Sequence, residues 1–471
     1  MSCFEGRVKE LKNVSIDCFE NSNIYSTTYF LSHCHADHMR GLRSNFFLKR
    51  LDHEAHVYLY CSEITAHILS SENTFSEVLH KIKVLPLGVS SIVKILDHNG
   101  SAEDVTVSLI PTGHCPGAVM FLFEGEMGRI LYTGDFRLCE GDVSRFRQFH
   151  YLDGTVKVID KLYVDTTFLS RRYQRFPSRT ASMSILCNLI TSWLHEGHDN
   201  DIYIQTAAKY GSEAVFIAVA KQLGMKIHVN DTTYNVYKNI AEIKEAVTDD
   251  PYCTRIHACQ QYKWPFRSRD KTTILPCRNK SSKLRIIRPC AMTFTSKVYD
   301  GSLESAVLQS DDQELFRVCY SCHCSYGELE HFIKYLKPRQ IQACVIPQNM
   351  EEAGILDLLK KVSRWGNGSS DMPLITVSKK CTKNGISSDM ATFSTTALMK
   401  QENAASSGNF VVVEEASRGN MPIEWSNDDA EIYRLIAEDL KPKIGDPDAI
   451  IKQNIRLEFL EIAACLNKSV V

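Results

Sequence analysis

The chain has no excess of charge: 54 Lys and Arg stand against 56 Asp and Glu, a formal net charge of −2. A polybasic character spread over the whole chain is excluded, so any nucleic-acid surface has to be local. Long hydrophobic runs are missing too. No apolar stretch reaches about 18 residues, so no membrane span is expected. The opening Met1-Ser-Cys-Phe-Glu-Gly-Arg7 lacks the apolar centre of a secretory leader. Without a leader, the odd total of 17 cysteines argues for a reducing compartment, with thiols free or on metal rather than in disulfides. The remainder is an ordinary globular composition, 44% hydrophobic and 23% charged over 471 residues, long enough for two or three domains with a substantial core.

What is present is concentrated in Phe30-Leu-Ser-His-Cys-His-Ala-Asp-His-Met-Arg-Gly41. Within six positions it supplies His33, His35, Asp37 and His38. Tyr29-Phe30-Leu31 reads as a buried strand, so His33 and His35, two apart, leave its end on one side. Asp37 is expected to cap a short helix beside His38. Two donors for one ion and two for a neighbour, all nitrogen or oxygen, suit zinc or manganese. A polar loop with accidental histidines is the bland alternative, and a match at four of six positions speaks against it.

Residues 1 to about 155 alternate short apolar strands (14–17, 56–60, 105–110, 119–123 and 130–133) with fewer helices, such as 62–69. This is the pattern of an α/β sandwich. Asp17 closes the first strand, either as a turn residue or as a carboxylate that orients a ligand histidine. His114 lies in the Gly/Pro loop Pro111-Thr-Gly-His-Cys-Pro-Gly, where a strand hands over to a turn. Asp135 ends the buried run Ile130-Leu-Tyr-Thr-Gly-Asp and is placed to bridge two cations about 3.5–4 Å apart.

A strand, then His-x-His-x-Asp-His, then Gly-His, then Gly-Asp resembles the metallo-β-lactamase fold, and more closely its β-CASP branch of nucleic-acid nucleases. Leu162-Tyr-Val-Asp165 looks like the acidic motif of that branch. His323, within Cys-His-Cys-Ser325-Tyr-Gly-Glu328, resembles its second-metal histidine, and Ser325 with Glu328 forms a capping box. The resemblance spans about residues 1–362. It implies an αββα sandwich from 1–155 and 306–365 with an inserted β-CASP α/β domain at 156–305. It also implies His33, His35 and His114 on a first ion, Asp37, His38 and His323 on a second, Asp135 between them, and Asp165 and Asp17 as orienting or proton-handling carboxylates. Zn²⁺ is expected at the first site, with Mg²⁺ or Mn²⁺ possible at the second.

The resemblance also points to a structural zinc site at His228, His257, Cys259 and Cys277. Spacing alone favours a core histidine with free thiols, since it fits no usual zinc-finger formula. RNA-processing members carry a histidine where this chain has Val345, and an apolar residue there marks DNA-directed members. The activity implied is hydrolysis of DNA phosphodiesters, at hairpins and single-strand/double-strand junctions, by a nuclear enzyme of double-strand break repair. A 5′-to-3′ exonuclease and a catalytically inactive DNA-end scaffold are the rivals.

Basic residues near the site, Arg171, Arg172, Arg175 and Lys209, are candidate phosphate contacts. The loop carrying Lys263, Trp264 and Arg267 is a candidate for backbone or base-stacking contact. Either group reads equally as a solvated surface. Residues 366–471 read as a polar linker and a partly helical, largely disordered tail, a place for end-joining partners to bind.

Overall fold

The computed structural model describes residues 2–97, 99–259, 273–274, 277, 281–311, 314–347, 350–364 and 373–378. Lys263, Trp264, Arg267 and the partly helical tail expected toward residue 471 lie outside these residues.

Period-two alternation builds the sandwich. One sheet runs Val14–Ile16, Thr28–Phe30, Tyr58–Cys61 and Ile82–Val84, all parallel. The other is seven-stranded: Leu374–Val377, Gln340–Ala343, Lys161–Val164, Gly128–Tyr132, Val119–Gly125, Ala102–Pro111 and Ser90–Leu96. Ile16, Phe30 and Tyr60 from the first sheet meet Val105, Val107, Phe121, Phe123, Tyr132 and Tyr163 from the second. Their sequence neighbours point the opposite way. Tyr29, Leu59 and Cys61 pack under helices Asn45–His53 and Glu63–Ser70. Met120, Leu122 and Leu162 pack under Tyr326–Leu336 and Glu352–Val362. Helix, sheet, sheet, helix is the layering expected. Phe30 sits 5.1 Å, centroid to centroid, from both Phe121 and Phe123, at edge-on angles that aromatic rings favour.

The insertion carries a third, mostly parallel sheet, ordered Val247–Thr248, Ile227–His228, Ile256–His257, Asn200–Ile204, Ser281–Cys290, Leu315–Cys319 and Val307–Gln309. Helices Arg179–Glu196 and Glu213–Leu223 cover it through Leu186, Ile190, Val215 and Val219.

Two boundaries differ from expectation. The last two strands of this sheet begin at Val307, so the break expected at 305/306 falls too early: pairing with Ser281–Cys290 keeps the chain in the inserted sheet through Cys319. The linker expected from 366 contains a strand, Leu374–Val377, parallel to Gln340–Ala343 at the sheet edge. Ile375, Thr376 and Val377 are β-branched, as strands favour, but a run of four after Pro373 is too short to stand out in the sequence.

Candidate metal centre

Every expected donor follows the C-terminal end of a strand. His33, His35, Asp37 and His38 come after Thr28–Phe30, His114 after Ala102–Pro111, Asp135 after Gly128–Tyr132, Asp165 after Lys161–Val164 and His323 after Leu315–Cys319. Three ring nitrogens converge: His35 Nδ1 is 3.1 Å from His33 Nε2 and 3.0 Å from His114 Nε2. Nitrogens bound to one tetrahedral zinc at about 2.0–2.1 Å stand roughly 3.3 Å apart, so a few tenths of an ångström separate this triad from a bound geometry.

The remaining ring nitrogens explain why these lone pairs face inward. His35 Nε2–H donates to the Tyr210 carbonyl (3.1 Å) and His114 Nδ1–H to the Cys322 carbonyl (3.0 Å). Ser32 Oγ–H donates to Asp17 Oδ2 (2.5 Å), which leaves the Ser32 Oγ lone pairs to accept from His33 Nδ1–H (2.9 Å). His38 Nδ1–H donates to Asp17 Oδ2 (2.8 Å), and His323 Nδ1–H to Asp165 Oδ2 (2.7 Å). Each imidazole is thereby fixed in orientation, with its other nitrogen aimed at the centre.

Electrostatics divide the histidines. Burial pushes His33 and His114 well below the ordinary imidazole pKa and lowers His35. Neutral imidazoles packed together are poised to take up a cation. For His38 and His323 burial also opposes protonation. It is outweighed by Asp135 and Asp17 at His38 and by Asp165 and Asp135 at His323, and both are raised. Asp135 is held well below the usual carboxylate range: burial works against this, and His38 and His323 overcome it. Its Oδ2 lies 3.6 Å from His114 Nε2, 3.8 Å from His33 Nε2 and 4.0 Å from His323 Nε2, while Oδ1 lies 3.4 Å from His38 Nε2. One carboxylate therefore spans both donor sets.

The residues fit a metal. The buried His38 Nε2 makes no hydrogen bond of good geometry, with Asp135 Oδ1 still 3.4 Å away, and a buried polar atom so poorly satisfied favours occupation by a cation. The second set is looser than the first, with His38 Nε2 still 4.0 Å from Asp37 Oδ2. Asp37 caps no helix: residues 36–38 form a turn, and its Oδ2 accepts from the Ser2 backbone N–H at 2.9 Å.

Asp17 is the orienting carboxylate, in contact with Ser32, His38 and Tyr132. It sits at φ +56°, in the left-handed region that aspartate and asparagine tolerate better than most residues. Asp17→Asn therefore preserves the backbone and removes the charge. Metal affinity measured against a competing chelator is expected to fall about 10–100-fold, and an unchanged value would remove Asp17 from the centre's support.

Sequence reading missed Ser32, Tyr132, the Tyr210 and Cys322 carbonyls, and Cys115. The Cys115 thiol lies within 4.8 Å of the His33, His35 and His114 donors. None of these had a signal beyond adjacency to a recognised histidine.

The second set is also gathered. His228 and His257 are register partners on neighbouring parallel strands, their Nδ1 atoms 3.2 Å apart, with Cys277 Sγ 3.4 Å from His257 Nδ1. With Cys259 they form a group within 4.8 Å. A hydrogen bond from Cys259 and the nearby His228 and His257 hold the Cys277 thiol well below its ordinary pKa, and Cys259 carries the proton. Two thiols and two imidazoles so placed match the donor set of a closed, four-coordinate metal site. Arg171, Arg172 and Arg175 are exposed. The Lys209 ammonium is engaged with Glu72 Oε1 at 2.7 Å.

Sandwich, insertion and centre together are those of a metallo-β-lactamase with a β-CASP insertion. The family profile described as DNA repair metallo-beta-lactamase matches residues 241–349, and that of the anti-Pycsar protein Apyc1 matches 15–154. Protein artemis of Danio rerio is 32% identical over 93% of this chain and 68% of its own length. Protein artemis of Gallus gallus is 35% identical over 82% of this chain and 54% of its own, and the DNA cross-link repair 1A protein of Homo sapiens is 30% identical over 69% and 29%. The chain belongs to the Artemis family. It spans about half the length of the chicken and mammalian artemis proteins it matches.

Proposed function

We propose that this chain is a metal-dependent DNA nuclease of double-strand break repair that opens hairpins and trims overhangs. The observation that carries the reading is the set of five histidines whose outer nitrogens are all engaged, four of them with the inner nitrogen within 4.0 Å of Asp135. This centre opens into a cavity of about 580 Å³ lined by His35, Asp37, Asp135, His323 and Val345, where a phosphodiester has access. When bound, divalent cations there supply the Lewis acidity that brings water's pKa toward about 7 and offset charge on phosphoryl oxygens. The protein's part is to hold His33, His35 and His114 neutral, to keep Asp135 ionised between the two donor sets, and to exclude the wrong tautomers through Asp17 and Asp165. Nitrogen donors favour Zn²⁺ at the first set; the carboxylate-containing second set admits Zn²⁺, Mg²⁺ or Mn²⁺.

DNA as substrate rests on the family and on apolar Val345 in the cavity wall. Nuclear residence follows from that substrate. Among the described residues no helix is long and apolar enough to cross a membrane. End-joining proteins are the partners proposed for residues 366–471.

The test compares a closed DNA hairpin, a junction with a single-stranded overhang and a 5′-phosphorylated linear strand, with Zn²⁺, Mn²⁺ or Mg²⁺ added. Nicking of the hairpin near its tip is expected. A chain that degrades only the phosphorylated strand is an exonuclease, and one that binds all three and cuts none is a scaffold; either result overturns the reading.

A further inference from the structure

The nitrogen of His35 that faces away from the triad is satisfied by a carbonyl from the insertion, Tyr210. Residues 209–212 lie in the turn between strand Asn200–Ile204 and helix Glu213–Leu223. No ladder of backbone bonds holds such a turn, so side chains have to set where its carbonyl points. Gly211, at φ +112°, lets the turn bend there. Its N–H donates to Glu213 Oε2 at 2.7 Å, and its carbonyl receives the Cys322 thiol at 3.1 Å. Tyr237 in turn donates to Glu213 Oε1, which roots this end of the turn in the insertion's core. The link to the opposite side is Glu72, just before the segment Asn73–Lys81 of the sandwich. Its Oε1 accepts from Lys209 Nζ at 2.7 Å and from the Tyr210 hydroxyl at 2.9 Å.

We propose that Glu72 is a positioning residue for the metal centre: by strapping Lys209 and Tyr210 to the sandwich it holds the Tyr210 carbonyl against His35 Nε2 and so keeps His35 Nδ1 free for a cation. This rests on the reading of His33, His35 and His114 as a metal triad. The strap gives the insertion a direct part in the first metal site, to which it contributes no donor. The lysine beside the cavity serves architecture, and its ammonium is offset by a carboxylate before any phosphate arrives.

The variants are Glu72→Leu, which abolishes both acceptor contacts, Tyr210→Phe, which removes one, and Glu72→Gln, which keeps an acceptor oxygen of the same reach. The full chain is stripped of metal, and Zn²⁺ affinity is measured by chelator competition. His35 tautomer is followed in the metal-free protein by nitrogen NMR of the imidazoles. Glu72→Leu is expected to weaken the tightest competing site about 10-fold and to mix the His35 tautomers. Tyr210→Phe should show a smaller change of the same kind, and Glu72→Gln should stay within about 3-fold of the parent. A merely structural role would lower the melting temperature of Glu72→Leu and leave affinity and tautomer as in the parent; that result overturns the proposal. His35→Ala run in parallel separates the two readings. If it binds as much Zn²⁺, as tightly, as the parent, the triad itself is wrong. If it loses a site and Glu72→Leu does not weaken one, the strap alone is wrong.

Discussion

His35→Ala and Asp37→Asn are each expected to lower the proposed DNA cleavage about a thousand-fold, or below detection, while the fold and DNA binding are kept. A thousand-fold corresponds to ~4 kcal/mol of barrier, within the range for losing one preorganised electrostatic group at a reacting centre. His35 supplies the nitrogen that stands 3.1 and 3.0 Å from its two partners, so its removal leaves the first set with two donors. Asp37 sits at the other set, its side chain about a quarter exposed and tied to the protein through one backbone N–H. Neither change opens a packed apolar core, which makes a loss through unfolding a poor rival explanation. The measurement is single-turnover cleavage of a hairpin beside circular dichroism and a DNA-binding titration. Undiminished cleavage in either variant is incompatible with a two-set centre.

The second large effect is on stability. Cys277→Ser is expected to remove one metal from a total of about 3 per chain and to lower the melting temperature by roughly 10 °C, from a loss of several kcal/mol. The reason lies in the strands that carry the site. Ile227–His228, Ile256–His257 and Val247–Thr248 are two residues each, against the five or six usual for a strand. So short a ladder contributes few hydrogen bonds, and a bound ion joining His228 to His257, Cys259 and Cys277 replaces the missing cohesion. Elemental analysis with a thermal melt checks it. An unchanged metal content would leave the group as a buried histidine pair with two thiols.

How far the sequence could be read varies by element. The sandwich was legible because its strands alternate: Phe30 faces one layer while Tyr29 and Leu31 face the other. Strands at 56–60, 105–110 and 119–123 could be seen for the same reason. The donors were legible as residue types at strand ends, and the capping box at Ser325 and Glu328 forms as read. What resisted was anything dependent on partners distant in the chain. Tyr210 reaches His35 and Cys322 reaches His114 through backbone carbonyls, and a carbonyl has no residue type to recognise. Asp37 was expected as a cap because aspartate favours that role, yet the Ser2 N–H takes its carboxylate instead. Leu374–Val377 was hidden by its shortness, since four residues become a strand only when Gln340–Ala343 offers them an edge.

The order of strands in the seven-stranded sheet has a consequence for synthesis. Lys161–Val164 pairs with Gln340–Ala343, with 179 residues between equivalent positions. The ribosome therefore releases the whole insertion before that sheet can close, and His323 emerges only at its end. Pairings of such long range are slow to form and leave strand edges uncovered in the meantime. The inserted sheet, whose strands lie between 200 and 319, is spared that wait on one side and can gather behind the half-built sandwich. The candidate centre is thus complete only once residues 340–343 have been made, and a chain cut short before His323 carries His33 to His38 with no centre for them to complete.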